Sequence, residues 1–322
     1  MSMAIRFHQV GGPEVLRVEE VEVGAPGPGE ARVRHQAVGV NYVDTYHRSG
    51  LYPLPLPSGL GVEAAGLVEA VGPGVTLVKP GDRVAYMAGP GAYAEERLLP
   101  ADRLVKVPVG VSSELAAAGL AKGLTAHMLV TRVHAVQPGE WVAVTAAAGG
   151  VGQLLVQWLV AIGARVIGLV GSPGKAARVE ALGAEAVLVS GVDDVPARVK
   201  ALSGGGVRVV YDSVGAATFD ASLDCLAPFG LMVTYGNASG PVPPLDTALL
   251  GKKGSLSVCR PTVFNHIAAR ADLERAAAAF FAQLASGEIE VAVGGRWPLA
   301  EAAAAHRALQ SRATTGSLLL IP

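Results

Sequence analysis

Cysteine is scarce in this sequence. Its 322 residues include two cysteines, Cys225 and Cys259, which are too few for a disulfide scaffold and too far apart for a C-x-x-C metal or redox pair. A disulfide-stabilised secreted scaffold is therefore excluded, and the compartment is expected to be reducing. Residues 1–10 lack the long apolar segment and small-residue cleavage site of a signal peptide, so we predict a cytoplasmic location.

Charge is also low, and its two signs balance. Charged residues make up 16% of the chain, with 26 Lys and Arg against 27 Asp and Glu, which gives a net charge of -1. Such a chain has no electrostatic reason to bind nucleic acid or an anionic membrane as its main partner, so neither is expected. Hydrophobic residues make up 51%, which predicts a compact globular protein rather than a disordered one.

One uncharged segment, residues 141–164, is long enough to cross a bilayer. Gly149, Gly150 and Gly152 interrupt it, and Gln153 and Gln157 follow. We therefore predict a short strand and a short helix of a buried α/β core instead of a membrane span.

Turn residues and apolar runs divide the chain, and its length favours two domains. In the first third, valine-rich segments alternate with Gly/Pro turns, which predicts a β-barrel or sandwich. From Glu114 a helical segment runs to Val130, and strand-like runs then alternate with helix-like ones, as in βαβ units of a parallel sheet. The strand-like runs are 141–145, 165–170, 186–189, 207–212 and 230–235; helices are predicted at 272–287 and 299–311, and a closing strand at 316–321.

A glycine turn follows the first of these strand-like runs. Residues 146–152 read A-A-A-G-G-V-G and lead into an apolar helix-like run from Leu154. A strand, a glycine turn and a helix let backbone N–H groups and the helix N-terminus face a pyrophosphate without Cβ atoms in the way. The pattern predicts a dinucleotide site, and a tight turn between packed elements is the alternative.

The end of the next strand-like run indicates which dinucleotide binds. NAD sites carry an acidic residue there that accepts hydrogen bonds from the ribose 2′-OH. This chain has residues 171–175, G-S-P-G-K, which offer a hydroxyl, a cation and turn N–H groups to a phosphate. NADPH is favoured over NADH, unless Lys175 is only a solvated residue at a helix start.

A polar and aromatic cluster occupies residues 39–50, G-V-N-Y-V-D-T-Y-H-R-S-G. Tyr46 can hydrogen-bond or protonate a substrate oxygen, and Asn41 and Asp44 can fix the ribose or amide of a cofactor. An Asx-rich turn explains the same residues equally well. Asp212, at the end of a strand-like run, either faces a ligand or caps the next helix. The scattered histidines show no metal-binding spacing and are interpreted as ordinary satisfied side chains.

Together with further segments, these residues resemble the zinc-independent quinone oxidoreductases of the medium-chain dehydrogenase/reductase superfamily, the zeta-crystallin-like group. The resemblance extends over the whole chain. It rests on residues 8–16 (HQVGGPEVL), 41–52 (NYVDTYHRSGLY), 122–125 (KGLT), 146–152 (AAAGGVG), 207–215 (VRVVYDSVG), 236–240 (GNASG), 253–261 (KGSLSVCRP) and 311–322 (SRATTGSLLLIP).

The resemblance implies an α/β protein with two domains. A GroES-like β-barrel catalytic domain would comprise residues 1–122 and 266–322. A Rossmann domain with a doubly wound parallel sheet, residues 123–265, would bind NADPH.

The resemblance also implies roles for individual residues. Tyr46 and Asn41 are the expected catalytic residues, and no metal ligand is expected. The expected cofactor-binding residues are Tyr42, Val43, Asp44, Thr45, Tyr46 and Thr125 beside the nicotinamide; Gly150 and Val151 at the pyrophosphate; Gly171, Ser172 and Lys175 at the 2′-phosphate; Ser190 near the adenine; Gly236, Asn237, Ala238 and Ser239 at the nicotinamide edge; and Arg312 from the C-terminal segment.

Two features depart from related sequences. Zinc-dependent relatives carry a cysteine ligand near the position of Asn41 and a G-H-E motif where this chain has Gly61, Val62 and Glu63, and the chain has no four-cysteine lobe. The catalytic and the structural zinc site are therefore both expected to be missing. Close family members have a tyrosine where this chain has Ser190, and without that aromatic platform the hold on the adenine weakens.

Without zinc, the expected reaction is direct hydride transfer from NADPH to an electron-poor quinone, with Tyr46 or water supplying the proton. Reduction of enones, enals or enoyl thioesters is the nearest alternative, and a non-catalytic nucleotide- or RNA-binding, crystallin-like role is another. The resemblance further implies a homodimer joined through the Rossmann sheets. The apolar segment 245–250 either forms that contact or fills the local core.

Overall fold

The computed structural model describes all 322 residues and divides them into two compact units. The first comprises residues 1–124, 267–285 and 291–322; the second comprises residues 125–266 and 286–290. The assignment of residues 1–122 and 266–322 to a catalytic domain, and of residues 123–265 to a Rossmann domain, stays a prediction. The expected α/β class with a parallel sheet is confirmed.

The elements follow one another in chain order. The strands are β1 Ser2–Phe7, β2 Arg17–Val21, β3 Glu30–Val40, β4 Ser58–Gly59, β5 Glu63–Val71, β6 Arg83–Met87, β7 Glu96–Pro100, β8 Leu104–Lys106, β9 Trp141–Val144, β10 Arg165–Val170, β11 Ala186–Val189, β12 Val207–Asp212, β13 Leu226–Thr234, β14 Ser257–Cys259, β15 Val293–Pro298 and β16 Ser317–Ile321. The helices are α1 Tyr42–Ser49, α2 Ser113–Met128, α3 Gly150–Ile162, α4 Ala176–Glu180, α5 Val195–Ser203, α6 Phe219–Asp224, α7 Thr247–Lys252, α8 Val263–His266, α9 Arg270–Ser286 and α10 Ala302–Gln310.

The first unit is built on two β-sheets. Seven strands form the larger one, in the order β15-β16-β3-β5-β6-β8 with β7 paired to β3, and β2-β1-β4 form the smaller. Val33 and Val38 of β3 and Ala64 of β5 are fully buried in the core of this unit, and the register of β3 with β5 shifts between His35 and Ala37. This sheet fixes Asn41, because β3 ends at Val40 and α1 begins at Tyr42.

The second unit contains a parallel sheet with the strand order β11-β10-β9-β12-β13-β14. The first strand of this sheet, β9, lies inside it, and the chain then moves outward in both directions. Because all six strands are parallel, the loops after them lie at one edge, where open α/β sheets bind ligands. The turns that the sequence identified as cofactor-binding follow β9, β10, β11 and β13.

The uncharged segment 141–164 forms β9 and α3, as predicted. None of the helices combines the length and the apolar composition that a membrane crossing requires.

Candidate active site

The turn before α3 brings the helix against the end of β9. A Cβ atom on Gly152 would lie 2.3 Å from the Ala146 carbonyl oxygen and 2.8 Å from the Ala147 Cα, so no other residue fits without moving the turn. Gly149 precedes the helix in extended conformation, and the first turn of α3 carries no acidic residue. An N-terminus of this kind favours a bound anion, because its N–H groups lack helical partners.

The loops after β9, β12 and β13 are tied together. The Ser213 amide donates to Thr145 Oγ1 at 3.0 Å, and a Cβ on Gly236 would lie 2.4 Å from the Ser213 carbonyl oxygen. Ser239 Oγ donates to the Val214 carbonyl and accepts from the Ala217 amide, at 2.8 and 2.9 Å. The Ser239 hydroxyl therefore holds two loops together.

Asp212, for which the sequence left two roles open, is fully buried at the end of β12. Its Oδ1 accepts from the Val214 and Gly215 amides, and its Oδ2 accepts from the hydroxyls of Thr218 and Ser222, all within 2.9 Å. With four donors on one carboxylate, Asp212 organises the turn into α6.

The turn after β10 carries Ser172 and Lys175. Both side chains are half-buried, and burial lowers the pKa of the Lys175 ammonium from its usual value. Arg178 Nε, one turn into α4, donates to Gln153 Oε1 of α3 at 3.0 Å. Ser190 follows β11 and is exposed, with its amide donating to the Val170 carbonyl of β10. The predicted 2′-phosphate and adenine residues thus follow adjacent strands.

In the first unit, residues 42–49 of the polar cluster at 39–50 form helix α1 rather than a turn. The Asn41 amide donates to Asp44 Oδ2 at 2.8 Å, and the Asp44 amide donates to the Asn41 carbonyl at 3.0 Å. An acidic residue in the first turn of α1 supports the helix start in this way. The Asx-turn alternative is therefore wrong.

The α1 helix carries an aromatic cluster. The Tyr46 ring lies edge-on to the Tyr52 ring at 5.3 Å and 6.4 Å from the Tyr42 ring, measured between centroids. The Tyr42 hydroxyl donates to the Leu309 carbonyl. Burial raises the pKa of this hydroxyl above its usual value, although the neighbouring Arg312 guanidinium acts in the opposite direction. The structure thus brings together three predicted residues, Tyr42, Tyr46 and Arg312.

The Asn41 side chain is oriented by a buried ion pair. Glu63 of β5 is fully buried, and its Oε2 accepts from Lys122 Nζ at 3.1 Å and from Asn41 Nδ2 at 2.9 Å. Its Oε1 accepts from the Ala121 amide of α2. Because Glu63 is an acceptor, the Asn41 amide is fixed with its nitrogen toward Glu63.

Asp44, predicted to contact the cofactor, lies wholly inside this unit. Its Oδ2 accepts from the Tyr93 hydroxyl at 3.0 Å as well as from the Asn41 amide, and its Oδ1 is buried without a hydrogen-bond partner. Burial raises the pKa of Asp44 to about 7, against the hydrogen bonds from Asn41 and Tyr93. Thr45 is also buried and donates to the Tyr42 carbonyl, whereas Val43 is half-buried.

The sequence does not predict a role for several residues at these sites, namely Glu63, Lys122, Tyr93 and Arg260. All four lie in or beside quoted segments or glycine turns, yet their partners are 22 to 213 residues away along the chain. Arg260, after β14, donates to the Thr234 carbonyl and so holds the end of β13 beside Gly236. Their polar character inside apolar surroundings is the only sequence signal that points to them.

No three His, Cys, Asp or Glu side chains of the 322 described residues come together in a way that would hold a metal ion.

Comparisons with known proteins agree with this architecture. A family model described as zinc-binding dehydrogenase matches residues 150–282, and the alcohol dehydrogenase GroES-like domain matches residues 27–109. The quinone oxidoreductase of Pseudomonas aeruginosa is 47% identical, and 100% of each chain is covered. The 2-haloacrylate reductase of a Burkholderia species is 43% identical, covering 100% of this chain and 99% of the relative. The crystal structure of Escherichia coli quinone oxidoreductase complexed with NADPH superposes with a TM-score of 0.98 at 46% identity, over 99% of this chain and 100% of that one.

Proposed function

The chain belongs to the quinone oxidoreductase family of the medium-chain dehydrogenase/reductase superfamily, and from that membership we propose that it reduces quinones with NADPH. The proposal is carried by one structural observation: the turn before α3 admits only glycine at 152 and presents a helix N-terminus without acidic residues. Relatives at 46 to 47% identity over the full chain are quinone oxidoreductases.

The residues present fit NADPH. Gly150 and Val151 would hold the pyrophosphate at the start of α3, and Gly171, Ser172 and Lys175 the 2′-phosphate after β10. Ser190 would lie near the adenine. Near the nicotinamide we place two groups, the loop residues Gly236, Asn237, Ala238 and Ser239, and from other segments Tyr42, Val43, Asp44, Thr45, Thr125 and Arg312. When bound, NADPH supplies a hydride from its nicotinamide C4.

The protein's own contribution is orientation and a proton. Tyr46 lies on α1 with its ring packed against Tyr42 and Tyr52, so its position is set before substrate binds. We assign its hydroxyl as the donor of the proton to the quinone oxygen on which negative charge develops. Asn41, held by Glu63, would present its side-chain amide to the bound ligand.

Reduction of activated alkenes is the second candidate. It is favoured by the 43% identity to a 2-haloacrylate reductase, which matches over the whole chain. An electron-poor double bond conjugated to a carbonyl needs the same hydride and the same proton donor as a quinone.

The test is steady-state oxidation of NADPH with 1,4-benzoquinone, 9,10-phenanthrenequinone and a simple enone, repeated with NADH and with a chelator. Quinone reduction that prefers NADPH and is unaffected by the chelator supports the proposal. Faster reduction of the enone would transfer the function to the second candidate, and absence of reduction with every acceptor would contradict both.

The Tyr46→Phe variant tests the proton donor. If the Tyr46 hydroxyl supplies the proton, kcat for the quinone should fall by about 10- to 100-fold. The Tyr86→Phe variant, which removes a buried hydroxyl away from α1, is the control and should keep the wild-type rate. An unchanged kcat in Tyr46→Phe would show that this residue only shapes the site.

We also propose a homodimer and a cytoplasmic location. Strand β14 is the last strand of the parallel sheet and pairs on one side with β13, so its other side is available to extend the sheet. Leu245, Leu249 and Leu250 pack against the core of their own unit, which makes β14 the better candidate for the contact. Both cysteines are free, which agrees with a reducing compartment.

A further inference from the structure

Helix α1 is anchored by buried polar side chains that take no part in the proposed hydride or proton transfer. Asp44 and Arg48 lie one turn apart on α1 and are 0% and 2% exposed. Their charged groups are connected through two other side chains, Tyr93, which precedes β7, and His306 of α10. We call Arg48, His306, Tyr93 and Asp44 the relay.

The hydrogen bonds of the relay have a single direction. Arg48 donates to His306 Nδ1 at 2.8 Å, and because a guanidinium only donates, Nδ1 must be the acceptor and the ring proton must be on Nε2. Nε2 then donates to the Tyr93 oxygen at 2.9 Å, and Tyr93 donates its own proton to Asp44 Oδ2 at 3.0 Å. The donors therefore all point from the buried cation to the buried carboxylate.

The protonation of His306 and Tyr93 agrees with this direction. Burial, together with the Arg48 charge, lowers the pKa of His306 to about 3, so the ring is neutral. Burial raises the pKa of the Tyr93 hydroxyl well above its usual value, so it keeps its proton. The charged or titratable groups that also face Asp44 are Glu63 of β5 and Lys122 of α2.

The relay connects α1 to α10, and further bonds from Arg48 hold α1 in place. Arg48 also donates to Gln310 Oε1 of α10 at 3.0 Å and to the Gly11 carbonyl, between β1 and β2, at 3.1 Å. Because Asp44 holds the Asn41 amide, the relay reaches the first turn of α1, where Asn41 and Tyr42 lie.

We propose that Tyr93 and His306 are positioning residues for the reductase reaction: the relay holds α1 so that Asn41, Tyr42 and Tyr46 keep the orientation that substrate reduction requires. The inference rests on the proposed function for the role of α1 in the reaction. The anchoring of α1 itself does not depend on that function, so the two can be tested separately.

The same unit contains a matched control. The Tyr86 hydroxyl and His35 Nε2 are 2.7 Å apart, Tyr86 is 0% and His35 4% exposed, and His35 Nδ1 faces the Ala94 carbonyl. This pair includes no residue of α1. Tyr86→Phe therefore removes an equally buried Tyr–His hydrogen bond without breaking the relay.

The experiment compares Tyr93→Phe with Tyr86→Phe in the full-length protein. Steady-state kinetics with NADPH and a quinone give kcat/KM, and hydrogen exchange without cofactor reports on the backbone amides of residues 42–49. We expect Tyr93→Phe to lower kcat/KM by about 10- to 100-fold, as misplaced reacting groups do, and to accelerate exchange in α1. Tyr86→Phe should change neither, although both variants lose some thermal stability.

His306 gives a second comparison. Gln offers an acceptor oxygen and a donor nitrogen, as the two ring nitrogens of the neutral imidazole do, whereas Leu offers neither. If the relay needs a side chain at 306 that accepts from Arg48 and donates to Tyr93, and not one that takes up a proton, His306→Gln should retain at least about ten times the kcat/KM of His306→Leu.

Similar behaviour of Tyr93→Phe and Tyr86→Phe in both assays would overturn the proposal, as would a His306→Gln variant no better than His306→Leu. Failure of the proposed function looks different. The wild-type protein would then reduce no acceptor, while exchange in α1 would still rise in Tyr93→Phe alone, which supports the anchoring of α1.

Discussion

At the scale of single residues, Gly152 carries the nucleotide prediction. Its missing side chain lets α3 begin within contact of the Ala146 carbonyl. Replacement by Ala should push the turn outward, lower the free energy of unfolding by ~1–3 kcal/mol and weaken NADPH binding at least ~10-fold. Urea unfolding and a fluorescence titration with NADPH measure the two effects.

The control for this substitution is Gly251→Ala in α7. No atom lies within 4 Å of a Cβ there, and alanine is the better helix former, so stability should stay equal or rise by up to ~1 kcal/mol. If Gly152→Ala matched Gly251→Ala in both measurements, close approach of the helix would not be what the glycine provides.

Lys175 is the residue that we propose selects NADPH over NADH. A charge-assisted bond to a phosphate contributes about 1.5–3 kcal/mol, so Lys175→Gln should weaken NADPH binding by ~10- to 100-fold and leave NADH binding nearly unchanged. Isothermal titration with each cofactor measures this. Lys200→Gln, at an exposed position of α5, should alter neither affinity. Equal losses for the two cofactors would instead mean that Lys175 supports the turn rather than reading the phosphate.

At the scale of elements, the ion pair of Glu63 and Lys122 joins β5 to α2 in the core of the first unit. The two side chains are 0% and 5% exposed, so removing one charge leaves the other buried without compensation. Glu63→Gln should lower the free energy of unfolding by about 3–5 kcal/mol in urea titrations. Adding Lys122→Met to Glu63→Gln should restore most of that loss.

Glu114 and Arg296 provide an exposed pair for comparison, with 41% and 53% of each side chain exposed. Glu114→Gln should cost less than about 1 kcal/mol, because solvent screens such pairs. A loss in Glu63→Gln as small as this would contradict the importance of the buried pair.

The elements show how far the sequence predicts this fold. Strands β10, β11 and β12 have the predicted bounds, because continuous apolar runs between glycine turns leave little choice for a buried parallel strand. Strand β13 begins at Leu226 rather than at 230. Between Leu226 and Leu231 its register with β12 shifts, and Phe229 in that interval has a φ of 62°. Such an irregularity depends on the neighbouring strand, so periodicity does not reveal it.

One part of the candidate site can be predicted from the sequence, and another part cannot. The loops at the carboxyl edge follow from the βαβ pattern, which fixes their common edge once the strands are recognised. The anchoring of α1 does not, since Arg48 and His306 are 258 residues apart and their contact exists only in the folded chain. His306 fits the interpretation as a satisfied side chain, and only its partners reveal what it holds.

At the scale of the whole molecule, the proposed homodimer places two copies of β14 side by side. Size-exclusion chromatography with light scattering should give twice the chain mass of 32.7 kDa at micromolar concentration. Ser257 is exposed on β14, and a lysine there should favour the monomer, because edge lysines oppose strand pairing between chains. Ala186→Lys on β11, the opposite edge strand, should leave the dimer intact. A monomeric wild-type protein would exclude the dimer, and a dimer that survives Ser257→Lys but not Ala186→Lys would move the contact to the other edge of the sheet.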